Sequence, residues 1–246
     1  MAHIRKYKRW MSIGCSHGSL IDPKAFEAVQ KFKRIFKPER RIHLGDICDY
    51  AAFRTGAHGT RDEAQALGPD IAAGARLIRE YEPTDVLIGN HDERVWKLAN
   101  HPNAIIAHAA ACSRNEFLTA CEKAKVRRIV DSYDINSSWI EIGDTKFLHG
   151  WMYSENAMRD HAEHFGKCVI AHLHVAGIGN ARRSDHAICY CVGTLASVPM
   201  MEYAKNRRAT ARWSHGFCYG EYSDTDCKIW LSQAPQGQAG SWPLPL

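Results

Sequence analysis

An α/β fold is predicted for this 246-residue chain, on three observations. Short apolar runs of strand length alternate with segments whose apolar residues recur at helical spacing. Glycine-flanked His, Asp, Asn and Cys residues stand directly after several of those runs. The composition, 45% hydrophobic and 24% charged, is that of a domain with a sizeable core to bury.

The elements follow in order. Arg9 to Gly14 reads as a strand. Asp22-Pro23 starts a helix, a cap followed by proline at the first helical position. Ala25, Phe26, Val29, Phe32, Ile35 and Phe36 keep its period until Pro38 stops it. Arg41 to Gly45 is a short strand. Asp62 to Tyr81 reads as a helix, weakened by Gly68-Pro69 and ended by Pro83. Asp85 to Gly89 is a strand, and the β-α-β-α-β order calls for a sheet with helices packed on it. Pro102 to Lys125 is mostly helical. Strands are expected at Val126 to Val130, Ser138 to Ile142 and Lys146 to His149. A helix is expected at Tyr153 to Phe165. Cys168 to Ala171, His186 to Val192, Phe217 to Tyr222 and Lys228 to Leu231 complete the strands. No linker is visible, so residues 1–231 are expected as one two-sheet domain. Residues 232–246, rich in Gln, Gly, Ala and Pro, are expected as an extended tail.

Composition excludes several classes. The apolar and aromatic content is too high for a disordered chain. No run approaches the roughly 18 apolar residues of a membrane-spanning helix. The basic start has no apolar segment behind it, so no secretory signal is read and a cytoplasmic location is expected. The 9 cysteines, odd in number and without a CxxC pair, fit reduced thiols better than a disulfide framework. Cys189 and Cys191 share one strand face and read as core thiols. A net charge of +5 suits an anionic substrate without deciding for one.

The chemistry lies in five motifs at predicted strand ends: Gly14-Cys15-Ser16-His17-Gly18, Gly45-Asp46-Ile47-Cys48-Asp49, Gly89-Asn90-His91-Asp92-Glu93, His149-Gly150 and Ala171-His172-Leu173-His174. Loops at the carboxyl ends of strands are where α/β folds build their sites. Glycine beside a ligand lets the backbone turn sharply. Asp46 has two oxygens with which to bridge two cations. His172 and His174, at a strand end, can splay toward different ions. The mixed N/O/S donor set suits transition metals better than magnesium or calcium. Two ions roughly 3.5–4 Å apart are an established device for phosphate-ester hydrolysis.

Over about residues 10 to 193 the chain resembles the calcineurin-like metallophosphoesterases, whose pattern is DxH, GDxxD, GNHD or GNHE, a later His, and GHxH. The second and third motifs are intact here, and Ala171 stands for the usual Gly of the last. The resemblance implies a four-layer α/β/β/α sandwich of two mixed sheets with a two-metal centre. It implies that Cys15, His17, Asp46 and His174 hold one ion. Asp46, Asn90, His149 and His172 would hold the other. His91 would contact substrate and protonate the leaving oxygen, and Asp92 would orient His91 or its loop. Asn90 and Arg54 are the further expected substrate contacts, with His215 a second candidate near the leaving group.

Cys15 departs from the family's Asp. It can ligate as a thiolate, leave the first ion weak or missing, or act as a nucleophile or redox centre of its own. A sulfur ligand points to zinc or iron, with manganese left open. The expected reaction is in-line attack by a metal-bound hydroxide on a phosphate ester, a phosphodiester before a monoester. The alternatives are a phosphomonoesterase or protein phosphatase, a nuclease acting on DNA, and a metal-poor interaction module on the same scaffold. Two basic segments interleaved with aromatics, Arg5 to Trp10 and Lys205 to Arg208 with Arg212-Trp213 after it, leave nucleic-acid binding open.

Overall fold

The computed structural model describes residues 7–182, 186–197, 201, 208–235 and 237–245. Arg5, Lys6, Lys205, Asn206 and Arg207 of the two basic segments lie outside the described residues.

Eleven strands are named among the described residues, and they make two mixed sheets. The first holds β1 (Lys8–Ile13), β2 (Arg40–His43), β3 (Asp85–Leu87), β4 (Arg128–Val130), β10 (Ser214–Tyr222) and β11 (Cys227–Pro235), in the order β11-β10-β1-β2-β3-β4. Strands β1 to β4 run parallel, while β10 is antiparallel to both β1 and β11. The second sheet holds β5 (Trp139–Ile142), β6 (Thr145–Leu148), β7 (Cys168–Ile170), β8 (Ala176–Asn180) and β9 (Ile188–Val192), in the order β5-β6-β7-β9-β8. Its inner pairs, β6-β7 and β7-β9, are parallel and its outer pairs antiparallel.

Period-2 alternation assigns the strand residues to layers. Trp10, Ile42 and Leu87 join Phe147, Val169 and Val192 in the core between the sheets. The ring of Trp10 meets that of Phe147 edge-on, centroids 4.8 Å apart. Truncating either ring to alanine should cost about 3–5 kcal/mol. The neighbours Met11 and Ile13 face outward, against Phe26, Val29 and Phe32 of helix α1 (Pro23–Phe36). Val86 and Ile88 pack under helices α2 (Leu67–Tyr81) and α4 (Ala104–Lys123). On the far side Leu148, Cys168, Ile170, Cys189 and Cys191 pack under α5 (Ala157–Phe165). The result is the expected α/β/β/α sandwich. The nine cysteines are all free, and Cys189 and Cys191 are buried together. Among the described residues no helix is long and apolar enough to cross a membrane.

Four local features differ from the sequence expectation. Helix α2 begins at Leu67 rather than Asp62. Pro69 lacks an N–H and is tolerated only in a first turn, so the helix cannot extend upstream of it by a further turn. A short helix, α3 (Glu93–Leu98), follows the third motif directly. Strand β8 was not expected, because its two glycines weaken the strand signal. Those glycines exist for packing: a Cβ on Gly179 would lie 2.6 Å from the Cβ of Met158 in α5. Finally, the end of the chain is packed rather than loose. Strand β11 continues to Pro235, and Trp242 is 7% exposed against Phe217 and the α1 layer. The indole of Trp242 donates to Ser232 Oγ at 3.0 Å, which a polar composition gave no reason to expect.

Candidate metal centre

The parallel strands β1, β2, β3 and β7 all end on one edge of the sandwich, and each delivers its motif there. Gly14 and Ala171 explain how closely the two sheets approach at that edge. A Cβ on Gly14 would sit 2.6 Å from the Ala171 methyl, so one of the pair must be glycine. The loop after β1 is tied to the loop after β2 by main-chain bonds: Cys15 N to Gly45 O at 2.9 Å, and Ser16 N and His17 N to Asp46 O at 3.0 Å each. Gly89 brings the third loop in, since a Cβ there would strike Asp46 Oδ1 at 2.2 Å.

Five of the expected ligands hold left-handed backbone: Cys15 (φ 50°), His17 (51°), Asp46 (56°), His172 (62°) and His174 (58°). Each costs on the order of 1 kcal/mol for a residue with a side chain. Such strain persists only where the surroundings overdetermine it. At Cys15 the brace is visible, as Thr194 Oγ1 and Leu195 N both donate to its carbonyl, at 2.7 and 3.1 Å.

The side chains converge in two groups. In the first, donor atoms of Cys15, His17, Asp46 and His174 all lie within 4.8 Å of one another, and all four residues are buried. His17 Nε2 faces His174 Nε2 at 3.0 Å. His17 Nδ1 is 2.9 Å from Asp49 Oδ1, so that nitrogen carries the proton and Nε2 presents a lone pair. In the second group, Asn90 Oδ1 is 3.1 Å from His149 Nε2 and 3.0 Å from His172 Nδ1. His149 Nε2 is also 3.3 Å from Asp46 Oδ2. His149 Nδ1 donates to Leu44 O at 2.8 Å, which again turns a lone pair inward. Asp46 therefore stands between the groups.

This donor set fits divalent cations. Imidazole nitrogens, a carboxylate and an amide oxygen face one another at contact distance. His174 Nδ1 is buried without a hydrogen-bond partner. If the proton sits there, two bare nitrogens confront each other at His17 and His174, an arrangement that a cation relieves. Protons fill part of that role here. Burial raises the Asp46 carboxyl, yet the neighbouring charges of His149 and His91 hold it well below the usual range. Burial lowers His149, and Asp46 overrides that to raise it. Burial and the neighbouring imidazoles push His172 down to about 3 and His174 well below normal. Burial and the Asp46 charge push the Cys15 thiol up, so its ionisation must accompany a cation's arrival. The Cys15 sulfur accepts the His172 N–H at 3.1 Å, a bond that aids the thiolate.

His91 sits at the rim, 7% exposed. Its Nδ1 lies 3.0 Å from both the main-chain oxygen and Oδ1 of Asp49. The His91 ring also meets that of His17 edge-on at 4.6 Å. The Asp92 carboxylate accepts Asp46 N (2.7 Å), Ile47 N (3.2 Å) and Gly89 N (3.0 Å), and so fixes the two ligand loops against each other.

Two other expectations land elsewhere. Arg54 gives its guanidinium to Asp62, at 2.8 and 2.7 Å. His215 is fully buried, with Nδ1 on Thr194 O at 3.1 Å, Nε2 3.6 Å from Asp22 and its ring against Trp242. Its place in β10, facing the α1 layer, removes it from the leaving-group role.

Sequence reading undervalued Asp49 and missed Asp70. Burial raises Asp49, but hydrogen bonds and charge from His17 and His91 hold its carboxyl well below the usual range. Asp70, in the first turn of α2, accepts the N–H groups of Ser19, Asp49 and Tyr50 at 3.2, 3.1 and 2.8 Å. The GDxxD spacing could have flagged Asp49, while nothing local marks Asp70. Tyr133 lies edge-on over His149 at 5.7 Å and donates to Gly150 O at 2.6 Å.

No protein-family model matches the chain. The Gene 54 protein of Mycobacterium phage D29 is 27% identical over 210 residues, covering 80% of this chain and 82% of its own length. The Gene 54 protein of Mycobacterium phage L5 is 27% identical over 216 residues with the same coverage. Among solved structures, Yfce, a phosphoesterase from E. coli, aligns with a TM-score of 0.36 at 12% identity, over 92% of this chain and 98% of that one. Vacuolar Protein Sorting 29 from Cryptosporidium parvum aligns with a TM-score of 0.40 at 12% identity, over 94% and 99%. The 5′-nucleotidase precursor from Thermus thermophilus aligns with a TM-score of 0.40 at 9% identity, over 94% of this chain and 55% of that one.

Proposed function

We propose that the chain is a metallophosphoesterase of the calcineurin-like type, with two divalent cations shared across Asp46. The single observation that carries this reading is the convergence of two donor quartets from five loops on one carboxylate. Cys15, His17, Asp46 and His174 would hold one cation; Asp46, Asn90, His149 and His172 would hold the other. Bound there, the cations supply Lewis acidity toward the phosphoryl oxygens and an acidified water.

The remaining work belongs to the chain. Asp49 accepts a hydrogen bond from His91 Nδ1–H and fixes the ring, so His91 transfers a proton to the leaving oxygen from Nε2. Asp92 and Asp70 keep the loops in register. Cys15 acts as a thiolate ligand: it is fully buried, which removes it as an external nucleophile, and it lies inside the first quartet. Its sulfur favours zinc or iron over manganese at that position.

A monoanionic diester suits the site better than a dianionic monoester. Two arginines lie in or against the loop after Asp49, and both are committed. Arg54 is paired with Asp62, and Arg94 donates to Asp49 O at 2.9 Å. Neither supplies a charge for a second phosphate anion. The nine free thiols are in keeping with a cytoplasmic location.

Elemental analysis of the purified protein, with assays on bis(p-nitrophenyl) phosphate and p-nitrophenyl phosphate, tests the proposal. About two equivalents of metal and faster diester cleavage are expected. His91→Ala should lower diester turnover by about 10²–10⁴-fold, and Asp46→Asn should abolish metal retention. Metal-free protein that takes up no zinc, iron or manganese, or full turnover in both variants, overturns it. In that event a metal-poor interaction module is the standing alternative.

A further inference from the structure

Beside the centre lies a cleft of about 470 Å³ whose two walls continue from ligand-bearing loops. One wall is the chain just after His149, carrying Tyr153 and Arg159. The other is the His172-Leu173-His174 loop with Arg212 and Trp213. The cleft and the centre are physically joined. Leu173 lines the cleft between two ligands, and the Trp213 ring meets the His174 ring edge-on, centroids 4.2 Å apart. Ser214 N donates to His174 O at 2.9 Å, which locks this wall to the ligand loop.

The lining has a particular chemistry. Tyr153 is 88% exposed and Ile178 is 54% exposed, so apolar and aromatic faces are held in water at the mouth of a polar site. Arg159 and Arg212 line the same cleft and form no ion pair among the described residues. Among the described lining residues Glu155 is the one acid, against the cations of Arg159 and Arg212. The volume is within the range of about 300–1,000 Å³ that encloses small-molecule ligands. A flat π-face next to cationic side chains is how proteins hold a base and its backbone phosphate without reading sequence. The Arg212-Trp213 pair, interleaved basic and aromatic in the sequence, falls here.

We propose that this cleft seats a nucleoside of the substrate, and that the ester presented to the metal centre is the phosphodiester of a single-stranded nucleic acid. The base stacks between Tyr153 and Trp213, while Arg159 and Arg212 meet the next phosphate along the strand. This assignment rests on the phosphoesterase reading for its catalytic half only; the binding half stands on the cleft.

The test is fluorescence anisotropy of the full-length protein, as purified, with fluorescein-labelled phosphorothioate octathymidylate, a probe that resists cleavage. An abasic octamer of equal charge is the control. The thymidylate is expected to bind at least about tenfold more tightly than the abasic strand. Tyr153→Ala should remove about tenfold or more of that affinity, and Tyr153→Phe should keep it. Arg212→Ala should reduce the salt slope by about one. Equal binding of both strands, no binding of either, or an unchanged Tyr153→Ala protein overturns the proposal. Bis(p-nitrophenyl) phosphate turnover in the same preparation separates the two readings. Turnover without base-dependent binding rejects the cleft assignment and leaves the phosphoesterase reading intact. Base-dependent binding without turnover does the reverse.

Discussion

His17 and His174 stand ring nitrogen to ring nitrogen, Nε2 to Nε2 at 3.0 Å, although 157 residues separate them in the chain. His17 is anchored from behind by Asp49. A divalent cation between those nitrogens should therefore stabilise the fold as well as complete the site. At free metal about a hundredfold above Kd, linkage gives about 2.7 kcal/mol. For a chain of this size that is roughly 5–10 °C in Tm. Differential scanning of chelator-stripped protein, with and without zinc, measures it. The shift should shrink in His174→Ala, which leaves only the group of Asp46, Asn90, His149 and His172; an identical rise in that variant would show that His174 holds no metal.

Cys15→Asp exchanges a soft donor for a hard one while leaving the charge of the bound ligand at minus one. The expected outcome is weaker zinc retention and relatively greater manganese-supported diester turnover. Competitive metal titration of the two proteins decides it. Unchanged preference would mean that the sulfur is outside the coordination shell.

Asp70 touches no ligand side chain, yet it collects the N–H groups of Ser19, Asp49 and Tyr50. Asp70→Ala leaves the Asp49 and Tyr50 donors buried and unpaired, at a cost of about 1–3 kcal/mol each before relaxation. A loss of several kcal/mol in urea unfolding is expected, with reduced activity in the folded fraction because Asp49 loses its brace. Asp70→Asn retains acceptor capacity and should lose less.

His43 sets a pH dependence of stability. It is fully buried; Gly45 N donates to its Nδ1 at 3.2 Å and its Nε2 is 3.1 Å from Ser16 Oγ. Burial lowers its pKa from 6.5 to about 3. Between those values the unfolded chain binds a proton that the folded chain refuses. Stability from this residue is thus complete above pH 6.5 and lost as pH falls toward 3. At pH 5 the loss is about 2 kcal/mol. Urea titrations at pH 7 and pH 5 should show it, and the difference should shrink in His43→Asn, which keeps an acceptor for Gly45 without the titrating ring.

Gly179→Ala tests the packing of α5 on β8. The new methyl would meet Met158 Cβ at 2.6 Å and Arg159 N at 3.1 Å. A destabilisation of about 1–3 kcal/mol is expected from overpacking. A neutral result would mean that helix and strand can separate freely.

What the sequence disclosed follows from what is local. Helix α1 was legible because Asp22, Pro23 and the apolar period all lie within one turn or a few. The ligand motifs were legible because glycine and donor sit side by side at strand ends. Strand β8 was hidden because its glycines answer to Met158 on another element. Asp70 was hidden for the same reason: its partners lie around 20 and 50 residues upstream, and only the folded chain brings them to it. Arg54 and Asp62 illustrate the converse, since a cation near a phosphate site was legible and its private partner was not. The C-terminal segment misled because polar composition conceals the one indole, Trp242, that anchors it.

The place of β10 has a consequence for biosynthesis. This strand pairs with β1, although Lys8 and its partner Tyr222 lie far apart in the sequence, and its Ser214 holds the His174 loop. Until β10 has been made, β1 has no neighbour on that side and the His174 loop lacks its bond to Ser214. Truncation upstream of residue 214 should accordingly leave the His174 loop without this bond and lower metal retention, read by elemental analysis.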